Sequence, residues 1–123
     1  MNLDAKNILY KWIDFVSSQD LKSVINLYAK EAVLLGTFAK KINITTDGIE
    51  LYFINFFKKK PIASFLDLHC TSLQEDCVVF NGNYLFNASD GLKVNARFTF
   101  VLKKYDSWKI ISHHSSVDPS TNL

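Results

Sequence analysis

The chain has 123 residues, 14 basic against 12 acidic side chains for a formal charge of +2, and 48% hydrophobic content that includes 10 Phe, 5 Tyr and 2 Trp. This is enough apolar material for one compact domain, 1–123, with a sizeable core. The near-balanced charge, with lysines scattered apart from Lys58 to Lys60, argues against a nucleic-acid footprint. No apolar run approaches the roughly 18 residues of a membrane span, and the opening "MNLDAKNILYKWIDF" has neither the uninterrupted apolar stretch nor the cleavage site of a secretion signal. The expected location is therefore cytoplasmic, with no membrane and no nucleic acid among the partners.

Asp4 is placed to cap a first helix whose apolar positions Ile8, Leu9, Trp12, Ile13, Phe15 and Val16 form a broad stripe. After the break at "SSQD", Asp20 starts a second helix with Leu21, Val24, Ile25 and Tyr28 at i, i+3, i+4 and i+7. "AVLLG" from Ala32 reads as a short buried strand, and "KKINITT" from Lys40 as a second short extended piece. Asp47 then caps a third helix with Ile49, Tyr52, Phe53, Phe56 and Phe57 on one face, ended by the lysine run and Pro61. Cations at a helix C-terminus are the simplest reading of that run.

Beyond Pro61 the period changes from helical to alternating. "SFLDLHCTSL", "CVVFNGNYLFN", "LKVNARFTFVLKK" and "SWKIISHHSS" are four strands joined by "QED", "ASDG" and "YDS". Three helices followed by a long antiparallel meander give an α+β class, with the helices against one face of a curved sheet of four long and two short strands. Cys70 and Cys77 flank the first turn. Pairing across it sets Cys70 opposite Phe80 and the sulfurs about 10 Å apart, too far for a disulfide, so both are read as thiols.

Order and local sequence together resemble the nuclear transport factor 2-like superfamily. "DLKSVINLYAKEAVLLGT", Asp20 to Thr37, is similar to the segment that joins second helix to first strand in these proteins. "ARFTFVLKKYDSWKIISHHSS", Ala96 to Ser116, resembles the final hairpin of SnoaL-like proteins and of the calcium/calmodulin-dependent kinase II association domain. The resemblance implies a cone-shaped fold with a cavity between the long helix and the concave sheet, and homodimerisation through the sheet. It does not select among the isomerases, cyclases, dehydratases, transport adaptors and assembly modules of the superfamily.

Arg97, the only arginine, carries a planar fork suited to a carboxylate. It is read either as the anchor of an anionic ligand or as a structural pair with Asp67 or Glu50. A tight turn at "YDS" that pairs Trp108 with Lys104 sets Thr99 opposite His113 and Arg97 opposite Ser115. His113 then shares a face with Arg97 and Thr99 and is the candidate general base, while His114 falls with Trp108, Ile110, Phe98 and Phe100. A one-residue slip exchanges the two histidines, so His114 remains a ligand-binding candidate. Trp12, Tyr28, Tyr52, Phe53, Phe56 and Tyr84 are either core aromatics or the lining of the cavity that the resemblance implies.

His69 shares an edge-strand face with Asp67 and Thr71, and Glu31 reads as solvated or capping. Three histidines spread over two strands form no metal set, and no metal or cofactor is expected. In ketosteroid isomerases of this fold the catalytic aspartate and the oxyanion tyrosine align near Gly36 and Trp12 here, which cannot do that chemistry. The expectation is a homodimeric module that binds a small anionic organic molecule. The alternatives are a cofactor-free acid/base enzyme with Arg97 or Tyr84 steadying negative charge, and an oligomerisation module.

Overall fold

The computed structural model describes residues 3–120. Its elements run α1 (Leu3–Ser17), α2 (Leu21–Ile25), β1 (Tyr28–Leu35), α3 (Thr46–Phe57), β2 (Ile62–Gln74), β3 (Cys77–Asn87), β4 (Lys93–Lys104) and β5 (Trp108–Val117). The class is α+β. Five strands form one curved sheet in the order β1-β5-β4-β3-β2, antiparallel except where β1 runs parallel to β5.

α1 buries Ala5, Leu9, Trp12 and Val16, the i, i+4, i+7, i+11 stripe of a helix lying on a core. Its end is held by Gln19, which sits at φ 54° and donates from Nε2 to the carbonyls of Val16 and Pro61 at 2.9 and 2.8 Å. Asp20 caps α2 by accepting from the Ser23 amide at 3.2 Å. The helix stops at Ile25, shorter than the periodicity through Tyr28 suggests, and β1 opens at Tyr28 instead of Ala32. The reason is tertiary: the Leu27 carbonyl accepts from the Ile110 amide at 2.8 Å, so β5 captures the backbone where helix would otherwise continue.

"KKINITT" makes one bridge, Leu34 with Asn43, and no second short strand. Thr45, not Asp47, caps α3, accepting from the Gly48 amide at 3.0 Å, while Asp47 lies in the first turn, where its charge suits the helix dipole. The buried face of α3 is Ile49, Phe53 and Phe56.

Alternation along β4 is regular. Val94, Ala96, Phe98, Phe100 and Leu102 are buried toward the helices, and Arg97, Lys93 and Asn95 are exposed on the outer face. Bulges interrupt β2 between Phe65 and Asp67 and the β4–β5 pair between Val101 and Leu102, and they supply local twist and bend. The first bulge brings the Asp67 carbonyl over Gly82, where an added Cβ would overlap it. Cys70 lies opposite Phe80, as the turn between β2 and β3 implied.

Because the obstructing atom at Gly82 is backbone, Gly82→Ala is expected to cost about 1–3 kcal/mol and lower the thermal midpoint by several degrees. Calorimetry showing an unchanged midpoint would mean the bulge relaxes freely.

Candidate functional site

Which side chains of β5 reach the interior is set by one residue. Lys104 pairs with Trp108 as the turn predicts and Leu102 with Ile110, but Val101 then pairs with Ser112 and leaves Ile111 as the extra residue of the bulge. Every later residue is out of phase with a regular ladder. His113 lies opposite Phe100, His114 opposite Thr99, and Ser116 opposite Arg97.

The expected pairing of His113 with Arg97 on one face is therefore corrected: His113 and Ser115 point inward, 3% and 5% exposed, and Arg97, Thr99 and His114 share the outer face. Arg97 donates from Nη2 to Ser116 Oγ at 3.2 Å, and Thr99 donates to Asn81 Oδ1 at 2.6 Å. Neither Asp67 nor Glu50 pairs with Arg97; the acid whose charge it feels is Asp118, whose carboxyl is lowered first by hydrogen bonds from Ser120 and also by Arg97. Asp67 is bound instead to His69 at 3.0 Å on the exposed edge strand, and Glu31 accepts from Tyr105.

Inside, a chain of polar groups runs through the aromatic core. Trp12 Nε1 donates to the Tyr28 hydroxyl at 3.0 Å, and that hydroxyl lies 2.8 Å from His113 Nδ1. His113 Nε2 is 3.1 Å from the Tyr84 hydroxyl, which donates to Ser115 Oγ at 2.5 Å, and Ser115 bonds Thr37. The indole can only donate, and each hydroxyl has one proton, so the chain has a direction. Tyr28 donates to Nδ1, the neutral imidazole carries its proton on Nε2, and Tyr84 passes the sequence on to Ser115.

The surroundings enforce neutrality. His113 stacks on Phe100 at 3.8 Å between centroids and meets Trp12 edge-on at 5.5 Å. Burial, with a smaller contribution from the His114 charge, pulls its pKa down to about 3. Burial likewise pushes the Tyr28 and Tyr84 hydroxyls up, well above the usual phenol range. Among the described residues, each buried side-chain nitrogen and oxygen has a partner.

Trp12, Phe53 and Tyr84 are packed in the core: Trp12 stacks on Tyr84 at 5.4 Å, and Phe53 meets Tyr28 at 5.8 Å. Tyr52 and Phe56 stand differently. With Phe38 they form the floor of a cleft of about 380 Å³ between α3 and the segment after β1, and Lys40, Lys41 and Lys59 stand along it. Lys59 Nζ lies over the Phe38 ring at 5.4 Å. Phe38, Lys40 and Lys41 were not singled out from sequence, and Lys59 was read only as one of the cations ending α3, because nothing local reveals that the segment 38–41 folds against the end of that helix. Ser115 and Thr37 were missed as well; an inward phase for Ser115 follows only from the bulge.

Residues 2–119 match the calcium/calmodulin dependent protein kinase II association domain family. The chain belongs to that family. A crystal structure of a putative association domain of this kind from Xanthomonas campestris is 32% identical, with a TM-score of 0.90 over 98% of this chain and 90% of that one. Two more distant structures share the fold alone. A protein of unknown function with a cystatin-like fold from Nostoc punctiforme is 14% identical, TM-score 0.83, over 99% and 94% of the two chains. A ketosteroid isomerase-like protein from Erwinia carotovora atroseptica is 13% identical, TM-score 0.74, over 91% and 92%. Among curated protein sequences none matches. No helix among the described residues is long and apolar enough to cross a membrane.

The association-domain interior makes a pH prediction. A histidine with an ordinary pKa of 6.5 when unfolded and about 3 when folded binds its proton only in the unfolded chain between those values. Its contribution is whole above pH 6.5 and is lost as pH falls toward 3, by up to about 1.4 kcal/mol per pH unit. Urea unfolding of wild type and His113→Gln at pH 7, 6, 5 and 4 should show the wild-type advantage shrinking at that rate. A difference independent of pH would place the imidazole in contact with water.

Proposed function

We propose that this association-domain relative is a homo-oligomeric binding module that holds a small anionic organic molecule in the cleft between α3 and the segment after β1 and does not transform it. The observation that carries the reading is the pairing of an aromatic floor, Phe38, Tyr52 and Phe56, with the ammonium groups of Lys40, Lys41 and Lys59. Flat apolar surface takes an organic ring, and clustered cations at its border take a carboxylate. The acid/base alternative is weaker, because both ring nitrogens of His113 are occupied by tyrosine hydroxyls and the imidazole is walled in by Phe100 and Trp12.

Assembly is assigned to the outer face of the sheet. Val79 and Val101 lie there half-buried beside Asn81, Thr99, Arg97 and His114, and no helix of the described chain covers them. Such a mixed patch, apolar at its centre and polar around it, suits a self-complementary contact. The family name supports association, and Arg97, Thr99 and His114 belong on this reading to the contact surface instead of a cavity.

Two measurements test the halves separately. Titration with benzoate should give saturable binding that weakens about threefold in Lys59→Ala and again in Lys40→Ala, and that falls with salt. Benzyl alcohol binding as tightly as benzoate would refute the anionic preference. Light scattering should show an oligomer that Val101→Glu dissociates; a monomeric wild type would refute the assembly.

A further inference from the structure

The cleft runs lengthwise along α3. Gly48, Leu51, Tyr52, Asn55, Phe56 and Lys59 border it, and their spacing of i, i+3, i+4, i+7, i+8 and i+11 is one stripe of a helix. From Gly48 to Phe57 that stripe spans roughly 13 Å at ~1.5 Å per residue. Lys59 continues it past the helix end, where its amide bonds the Phe56 carbonyl at 3.1 Å. The facing segment runs the opposite way. Phe38 lies against Phe56 at 5.3 Å, near the helix C-terminus, and Asn43 packs against Gly48 in the first turn, where an added Cβ would meet Asn43 Oδ1 at 2.9 Å. Both ends of the segment are pinned: Asn43 exchanges two backbone hydrogen bonds with Leu34 at 2.9 Å, and the Ala39 amide bonds the Gly36 carbonyl at 3.1 Å.

This geometry sorts the cations along the cleft. Lys59 Nζ stands over the Phe38 ring at 5.4 Å, at the aromatic end. Lys40 and Lys41 lie on the segment between Phe38 and Asn43, toward the end that Gly48 closes. Among the described residues no aspartate or glutamate lines the cleft, and none forms an ion pair with the three ammonium groups. A ligand with one carboxylate would balance one positive charge of three, and would leave the cations at the other end with water alone. Between the two ends lies the flat surface of Phe38, Tyr52 and Phe56, in a volume of about 380 Å³ that suits a small ring system.

We infer that the ligand of this cleft is an aromatic dianion with its acidic groups at opposite ends of a flat ring: the ring rests on Phe38, Tyr52 and Phe56, one acid faces Lys59, and the other faces Lys40 and Lys41. This rests on the cleft reading above and adds the charge of the occupant and the direction in which it lies. The separation of the acids matters as much as their number, because two adjacent carboxylates can reach only one end of a cleft that follows the helix axis.

The test is calorimetric titration of the full chain with three acids: benzoate, terephthalate, whose carboxylates stand at opposite ends of the ring, and phthalate, whose carboxylates are adjacent. Terephthalate should bind about fivefold more tightly than benzoate, and phthalate within about twofold of benzoate. Lys59→Ala and, separately, Lys41→Ala remove exposed side chains at the two ends, and each should shrink the terephthalate advantage to about twofold or less. Equal binding of benzoate and terephthalate would overturn the dianion and leave the cleft reading intact. Phthalate as tight as terephthalate would overturn the lengthwise placement, as would a terephthalate advantage that survives either substitution. Binding of none of the three acids would overturn both the dianion and the cleft reading.

Discussion

One inserted residue in β5 governs the chemistry of the interior. Side chains on a strand alternate, so the bulge at Ile111 exchanges the faces of everything after it. With it, a histidine and a serine enter an aromatic core while the neighbouring histidine joins Arg97 outside. Without it, Ser112 would stand opposite Phe100 and His114 opposite Phe98, and Tyr28 and Tyr84 would face the wrong partners. The polar chain exists only in the bulged register, and its complete pairing in turn disfavours slippage, because a slip would leave several buried groups unmatched.

Such a chain is not a cheap source of stability. Each of its bonds replaces one to water, and the imidazole gives up its charge over most of the physiological acid range to stay buried. What it supplies is uniqueness. Trp12 on α1, Tyr28 on β1, Tyr84 on β3 and His113 on β5 can all be satisfied in one mutual arrangement, so the helix, the parallel edge strand and the meander are locked to one another at a single point. Aromatic packing around it then has a fixed frame to fill.

The strong periodic signals were legible in sequence. α1, the face of α3, and the four long strands follow from spacings that only one element type can satisfy, and the Asp20 cap was visible because its side-chain chemistry is local. The misses share a cause. The early end of α2, the loss of the strand at "KKINITT", and the exchange of His113 with His114 each depend on a partner distant in the chain: the Ile110 amide, Asn43 against Leu34, and the bulge opposite Val101. A tight three-residue turn can be read from "YDS", and the first pair it makes, Lys104 with Trp108, was indeed legible. A bulge three residues after Trp108 carries no local signature, and it decided the face of every candidate beyond it. The cleft was half legible: Tyr52 and Phe56 were named, but the lysines opposite them became neighbours only through folding.

The likeness in fold to a ketosteroid isomerase-like protein covers 91% of this chain, yet packing groups fill the positions that the superfamily resemblance aligns with such chemistry. The place that the superfamily resemblance aligns with a catalytic carboxylate is Gly36, and the ring of Tyr52 lies where any side chain there would project. An aspartate at that position would have to expel the ring and would arrive beside hydroxyls already saturated by one another. At the other position stands Trp12, whose indole N–H is committed to Tyr28 at 3.0 Å. A donor already bound and a base with no room cannot cooperate on a substrate proton.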